Sequence, residues 1–366
     1  MKTRCLEIAC SPGRSYRIYV GSGLLDDLGE QVARLVSGRT ACVVTDATVG
    51  ALYLAQLSAS MEQVGFTVHA HTIEPGEQSK SIASANELWE AFAHCGLGRD
   101  GVVLALGGGV VGDLAGFAAS TYMRGVACVQ IPTTLLAMVD SSVGGKTAIN
   151  LSRGKNLVGT FAQPVLVAAD LELLSTLPAA EWENGFAEIA KAALIDGDPF
   201  YSWLTEYADD LRKQGKGAVQ QAVIRALAFK GRVVSADERE SGERECLNYG
   251  HTFAHALEAV AGYGAVSHGR AVAAGMRFAA ALACEALELS SSFEAAQNAL
   301  LDSLGLTGFT DSYTADELFE RISIDKKVRG GKPRFVFVTA PGQWQTLAVD
   351  PDLLKIHLLL WADARL

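Results

Sequence analysis

Apolar positions in the first half of the chain switch between two periods. Residues 15–20 alternate polar and apolar and end at Gly21-Ser-Gly, predicting a strand and a turn. Positions 24–35 then repeat every three to four residues, as on the buried face of a helix. The run 40–45 is apolar and ends at Asp46, predicting a short buried strand. A helical pattern over 50–64 leads to a strand at 66–72, a turn at Pro75-Gly-Glu, and a helix over 82–94. Residues 101–106 form another unbroken apolar strand. Strands alternating with helices of this length predict a mostly parallel sheet covered on both faces. Beyond about Ala180 the texture changes to helical spacing over 181–195, 216–234, 247–261, 268–289 and 291–304, with one short strand at Phe335 to Val338. The expected architecture is an α/β domain over 1–178 and a mainly α-helical domain over 179–366, divided near Leu177-Pro178.

Composition agrees with two folded domains. At 366 residues the chain exceeds what one core usually covers, and 49% hydrophobic with 20% charged residues excludes a disordered chain. A net charge of −10 argues against nonspecific nucleic-acid binding, yet local lysines and arginines can still receive an anionic substrate. The seven cysteines show no C-x-x-C spacing, and several lie in apolar runs, as expected for thiols in a reducing compartment. No signal-peptide pattern opens the chain, and no apolar run reaches the ~18 residues of a membrane span. The expected location is cytoplasmic.

Three stretches carry candidate chemistry. Gly107, Gly109 and Gly112 satisfy G-x-G-x-x-G between an apolar strand and a predicted helix, the setting in which backbone approaches a pyrophosphate. The acidic residue expected about 20 positions later is missing, so a closely packed strand-to-helix turn stands as an alternative explanation of these glycines. Asp46, Glu77 and Lys80, each after a strand end, supply alternative ribose contacts. A second stretch places Asp140, Lys146, Lys155 and Asn156 among glycines, suiting a polyhydroxylated anion or, equally, solvated surface. The third stretch, 248–258, holds His251 and His255 four residues apart. A continuous helix would align Asn248, His251 and His255 on one face while Phe253, Ala256 and Leu257 pack elsewhere. Glu188 and Lys191 share a face of an apolar helix, where an internal ion pair is the bland explanation. One carboxylate and two imidazoles, with His268 opening another helix, would also make a zinc site with an open position.

In their order along the chain, these segments resemble the 3-dehydroquinate synthase family of sugar-phosphate cyclases. The resemblance runs from about Glu74 to Gly342. It is carried by Leu106-Gly-Gly-Gly-Val-Val-Gly-Asp, Arg124-Gly, Pro132-Thr-Thr, Val139-Asp-Ser-Ser-Val-Gly-Gly-Lys-Thr, Gly154-Lys-Asn, Asp237-Glu-Arg-Glu-Ser-Gly, Leu247-Asn-Tyr-Gly-His-Thr-Phe and Asp325-Lys-Lys. It implies an N-terminal nucleotide-binding domain, a helical C-terminal domain, a homodimer, NAD as a catalytic cofactor and a divalent cation, Zn2+ or another such as Co2+. The implied metal ligands are Glu188, His251 and His268. The implied NAD contacts are Asp46, Glu77, Lys80, Gly108, Gly109, Asp113, Thr133, Thr134, Lys146, Lys155 and Thr176. Substrate contacts implied in the same way are Asp140, Lys146, Lys155, Asn156, Lys191, Lys230, Arg244, Asn248, His255 and Lys326, with Arg124 reaching the neighbouring subunit's substrate. The implied reaction converts 3-deoxy-D-arabino-heptulosonate 7-phosphate to 3-dehydroquinate and phosphate. The family often carries Glu after the His268-Gly269 pair, where this chain has Arg270.

Four rivals stand beside this, and the noncatalytic one, a metal-stabilised binding module, leaves the cluster of Lys146, Lys155, Arg244 and Lys326 unexplained. An aminodehydroquinate synthase shares the chemistry. A cyclase acting on sedoheptulose 7-phosphate commonly replaces the residues matching Asn248 and His255, both retained here. A metal-dependent polyol dehydrogenase would leave the cluster of Lys146, Lys155, Arg244 and Lys326 without a phosphate to bind.

Overall fold

The computed structural model of the protein describes residues 2–10, 15–262, 264–308, 313–324 and 332–364. The chain divides into two compact units, Met1–Pro178 with Lys230–Arg239, and Ala179–Phe229 with Glu240–Leu366.

Among its described residues up to Pro178, the first unit has nine strands and four α-helices. In chain order they are β1 (Arg4–Ala9), β2 (Ser15–Gly21), α1 (Leu24–Ala33), β3 (Thr40–Asp46), α2 (Ala47–Gln63), β4 (Thr67–Ile73), α3 (Ile82–His94), β5 (Val102–Gly107), α4 (Gly109–Thr121), β6 (Ala127–Pro132), β7 (Lys146–Leu151), β8 (Gly154–Phe161) and β9 (Leu166–Asp170). Seven strands form one sheet in the order β1-β2-β9-β6-β5-β3-β4. From β2 to β4 every pairing is parallel, and β1 joins the edge antiparallel to β2. Val43 of β3 lies between Ala70 of β4 and Leu104 of β5. β5 is buried along its whole length, which explains its unbroken apolar sequence. Leu88 and Phe92 of α3 and Leu114 and Phe117 of α4 join Val103 and Ala105 in one core.

Periodicity anticipated β2 through β5 and missed β1, β6, β9 and the β7–β8 hairpin. Gln130 interrupts the apolar run of β6, but its side chain is buried and donates to the Gly112 carbonyl at 3.1 Å. β7 and β8 pair antiparallel, Lys146 opposite Phe161, and glycines with mixed polarity hide that pairing in the sequence.

The second unit is helical, as expected: α5 (Ala179–Asp196), α6 (Phe200–Arg212), α7 (Lys216–Ala236), α8 (His251–Ala261), α9 (His268–Ala286), α10 (Ser292–Ser303), α11 (Ala315–Ile324) and α12 (Pro351–Ala364). The last turns of α7, from Lys230, group with the first unit. The single strand expected near Phe335 is half of a hairpin, β10 (Arg334–Ala340) with β11 (Gln343–Ala348). Helices α6, α11 and α12 were not anticipated.

α5 is buried on all sides from Asn184 to Leu194 and packs against α6 and α9. That burial explains why Ala and Gly fill it, and it places the charges of Glu188 and Lys191 inside the unit. Phe253 of α8 stacks on Phe278 of α9 with ring centroids 4.5 Å apart and meets Trp361 of α12 edge-on at 4.9 Å. Among the described residues no helix is long and apolar enough to cross a membrane.

Candidate active site

Two groups of candidate residues form, one in each unit. In the first unit the chain leaves β3 toward β4 and returns on the other side as β5. The carboxyl ends of β3 and β5 thus flank a switch point of the parallel sheet, where ligands of such folds bind. Asp46 ends β3, and Gly108 with Gly109 starts α4 directly after β5. Asp46 Oδ1 caps α2, accepting from Thr48 N at 2.8 Å and Val49 N at 2.9 Å. Gly108 caps α4 without a side-chain hydrogen bond, so the first N–H groups of that helix keep their capacity to donate.

The glycines of this turn separate by role. A Cβ on Gly107 would sit 2.6 Å from Val111, on Gly112 2.7 Å from Gln130, and on Gly116 2.5 Å from Thr147. Packing alone therefore accounts for Gly107 and Gly116, whereas at Gly112 the neighbour is the end of the longer Gln130 side chain. At Gly108 and Gly109 the nearest atoms, on Thr134 and Ser141, are 3.1 Å away, so packing is tight but weaker. Thr133 lies at the end of β6, its hydroxyl buried without a hydrogen-bond partner. An uncapped helix start, bare glycine backbone and a buried orphan hydroxyl fit a dinucleotide. Thr134 Oγ1 accepts from Ala137 N at 3.1 Å, and Thr176 Oγ1 shares a 2.6 Å hydrogen bond with the Tyr53 hydroxyl.

Lys80 joins several predicted residues into one network. Its buried ammonium donates to Asp113 Oδ2 at 2.7 Å and Asn156 Oδ1 at 2.5 Å, and lies 3.7 Å from Glu77. Asn150 Nδ2 donates to Glu77 Oε1 at 2.8 Å, and Asn156 N donates to Asn150 Oδ1 at 2.8 Å. Asn156 takes left-handed backbone, φ 54°, which an Asn tolerates better than most residues. Burial pushes the Asp113 carboxyl up, and the Lys80 charge opposes that shift. Separately, Lys230 donates to Asp140 Oδ1 at 2.6 Å. Lys146 and Arg124 are exposed and Lys155 is half-buried; Arg124 has φ 67°.

In the second unit Glu188, His251 and His268 present three ligand atoms within 4.8 Å of one another. Both imidazole Nε2 atoms lie 3.6 Å from Glu188 Oε1. That separation is long for a hydrogen bond, but tetrahedral bonds of about 2.0–2.2 Å place neighbouring ligands roughly 3.3–3.6 Å apart. Each imidazole is oriented through its other nitrogen: His251 Nδ1 lies 3.1 Å from the Tyr249 carbonyl, and His268 Nδ1 lies 3.2 Å from Glu258 Oε1. A protonated Nδ1 leaves Nε2 as the lone-pair donor aimed at Glu188. Both Glu188 oxygens are buried without a hydrogen bond of good geometry, although Lys191 forms an ion pair with Oε2. The donor set fits a divalent cation of the zinc type. Burial, then the Lys191 charge, depresses His251 well below the ordinary histidine value. Burial also acts to lower His268, but Glu188 and Glu258 outweigh it and lift the group to about 9.

One sequence expectation fails locally. Asn248 does not share a helical face with His251 and His255, because α8 begins at His251 after Gly250 in left-handed backbone, φ 77°. The cause is close helix packing: a Cβ on Gly275 of α9 would sit 2.0 Å from the Gly250 carbonyl oxygen. Asn248 instead lies in a short 3-10 turn with Arg244, its Nδ2 donating to Glu240 Oε1 at 2.9 Å. His255 remains one turn beyond His251, ring centroids 5.4 Å apart, and is exposed, whereas Arg244 is buried. Arg270 is exposed. Lys326 lies outside the described residues.

Sequence reasoning passed over Glu258 and Asn184. Glu258 follows His251 and His255 at i, i+4 and i+7, a spacing that would have marked it. Asn184 Oδ1 accepts from Gly269 N at 2.7 Å, a tertiary contact without a sequence signal.

Comparison with known proteins bears on both groups. Residues 70–184 match the family described as 3-dehydroquinate synthase N-terminal, and residues 185–328 match 3-dehydroquinate synthase C-terminal. A 3-dehydroquinate synthase of Caulobacter vibrioides (strain NA1000 / CB15N) is 46% identical over 354 residues, 94% of this chain and 96% of the relative. Among solved structures, 2-deoxy-scyllo-inosose synthase complexed with carbaglucose-6-phosphate, NAD+ and Co2+ superposes with a TM-score of 0.86 at 26% identity, covering 98% of this chain and 100% of the other. The 2-epi-5-epi-valiolone synthase from Streptomyces hygroscopicus subsp. jinggangensis 5008, with NAD+ and Zn2+ bound, gives 0.87 at 28% identity with the same coverage.

Proposed function

This chain belongs to the 3-dehydroquinate synthase family, and we propose that it converts 3-deoxy-D-arabino-heptulosonate 7-phosphate to 3-dehydroquinate and phosphate. The observation that carries the reading is the triad of buried Glu188 with half-buried His251 and His268, each imidazole oriented so that Nε2 serves as a ligand. In this reading those three residues hold a divalent cation. Asp46, Gly108, Gly109, Thr133 and the Lys80 network hold NAD. A bound NAD would supply reversible hydride transfer at a secondary alcohol of the substrate, and a bound cation would supply a Lewis acid for an alcohol oxygen.

The chain's own groups supply the rest. Lys191, buried beside Glu188, places a positive charge where an alkoxide or enolate would develop. Arg244, buried in the turn before α8, offers a fixed guanidinium to a phosphate, which it can grip through two parallel hydrogen bonds. Asn248 supplies an amide to sugar hydroxyls. The exposed imidazole of His255, one turn from His251, is placed to move a proton as the phosphate leaves. Phosphate leaves by elimination, which breaks a carbon–oxygen bond and keeps the P–O bonds intact, so in this reading the enzyme is a carbon–oxygen lyase that uses NAD catalytically. We extend the reading to a cytoplasmic homodimer in which exposed Arg124 reaches the neighbouring subunit's substrate.

One assay tests the function. The purified protein is incubated with the heptulosonate phosphate, a divalent cation and trace NAD+, and both phosphate release and product mass are followed. Phosphate in large excess over NAD+ is expected. NADH accumulating in proportion to substrate, without phosphate, would overturn the reading in favour of a polyol dehydrogenase.

A further inference from the structure

Two histidines of the cation site are oriented by acceptors of different charge. His251 Nδ1 faces a neutral backbone carbonyl, that of Tyr249, at 3.1 Å. His268 Nδ1 faces the side-chain carboxylate of Glu258 at 3.2 Å. Glu258 is 5% exposed, so water screens little of its charge. It sits on α8, seven residues after His251, whereas His268 opens α9. The residue following the His268-Gly269 pair is Arg270, which is exposed and brings no carboxylate to this position. We propose that Glu258 is a positioning residue for the cation site: its carboxylate accepts the Nδ1 proton of His268, holds Nε2 toward Glu188, and makes His268 the stronger imidazole donor of the pair.

The inference rests on reading Glu188, His251 and His268 as the ligands. A carboxylate accepting the remote N–H of an imidazole raises the basicity of its other nitrogen and removes the freedom of the ring to rotate. A backbone carbonyl fixes the ring as well but adds less negative charge. Glu258 is not the sole anchor of this corner, since Gly269 N donates to the buried Asn184 Oδ1 at 2.7 Å and secures the first turn of α9 to α5. Losing the Glu258 charge should therefore change the ligand without displacing the helix that carries it.

Three variants of the full chain decide the matter without any substrate: Glu258→Gln, Glu258→Ala and His268→Ala. Zn2+ affinity is read by competition with a chromogenic chelator, the visible spectrum is recorded after Co2+ loading, and melting is measured on the metal-free protein. Glu258→Gln should bind Zn2+ about 10- to 100-fold more weakly than the parent, with an altered Co2+ spectrum and unchanged metal-free melting. Glu258→Ala should lose more, because the Nδ1 proton loses its acceptor. Parental affinity and spectrum in Glu258→Gln, with His268→Ala binding no metal, would overturn this proposal and leave the ligand set standing. Weaker binding in Glu258→Gln accompanied by lowered metal-free melting or misfolding would also overturn it, since the role would be structural. His268→Ala retaining parental affinity would sink the ligand reading itself.

Discussion

His251 and His255 share one face of α8, yet their surroundings divide them. His251 is half-buried beside Glu188, Lys191 and His268, while His255 is exposed, its ring edge-on to that of His251. We expect His268→Ala to lose its cation by elemental analysis. His255→Ala should keep the cation and turn over roughly 100-fold more slowly or worse, the scale of a lost proton-transfer group. Equal metal depletion in both would refute that division. Elsewhere, burial pushes the thiols of Cys42 and Cys128 up to about 12, and Cys95 reinforces the shift at Cys42. A disulfide reagent at pH 8 should modify exposed Cys5 quickly and leave Cys42 and Cys128 untouched until denaturant is added, because the thiolate is the nucleophile. Rapid labelling of either in the native protein, located by mass spectrometry, would contradict this.

Among the elements, the contact between α8 and α9 positions the imidazoles. Gly275 lets the Gly250 carbonyl approach so closely that an added methyl would meet it at 2.0 Å. Backbone cannot yield as a side chain can, so Gly275→Ala should cost about 2–3 kcal/mol or more. It should also weaken cation binding, because the start of α8 carries His251. Denaturant unfolding and chelator competition measure the two effects, and a variant neutral in both would show that the helices separate freely. The Gly107 to Gly116 turn follows a related logic. Three of its glycines answer to neighbouring side chains, which is why the G-x-G-x-x-G spacing alone was ambiguous. Switch-point topology and an uncapped α4 are what give Gly108 and Gly109 a ligand-facing reading.

At the scale of the whole molecule, the proposed ligands fall on separate units: the cation on the second, and the contacts assigned to NAD on the first. A ligand stabilises what it binds by mass action, by about 2.7 kcal/mol at 100 times its Kd. For folded regions of this size that corresponds to a rise of roughly 5–11 °C. Zn2+ and NAD+ added separately should each raise the melting temperature, and hydrogen exchange should slow in the second unit for Zn2+ and in the first for NAD+. Protection by Zn2+ confined to the first unit would contradict the assignment of its ligands.

Periodicity by itself determined the alternation of strands and helices in the first half, the helical texture beyond Ala180, and the burial of Glu188 and Lys191, because each depends on local spacing and composition. Ordered motifs further along the chain pointed to the family, and family matches over residues 70–328 agree. Strand order, the β7–β8 hairpin and the break before α8 were decided only in three dimensions, since they depend on which surfaces meet. The convergence of Glu188, His251 and His268 from three helices belongs to that class. So does the Glu258 carboxylate behind His268, whose spacing lay within the 248–258 stretch but whose partner is named only by packing.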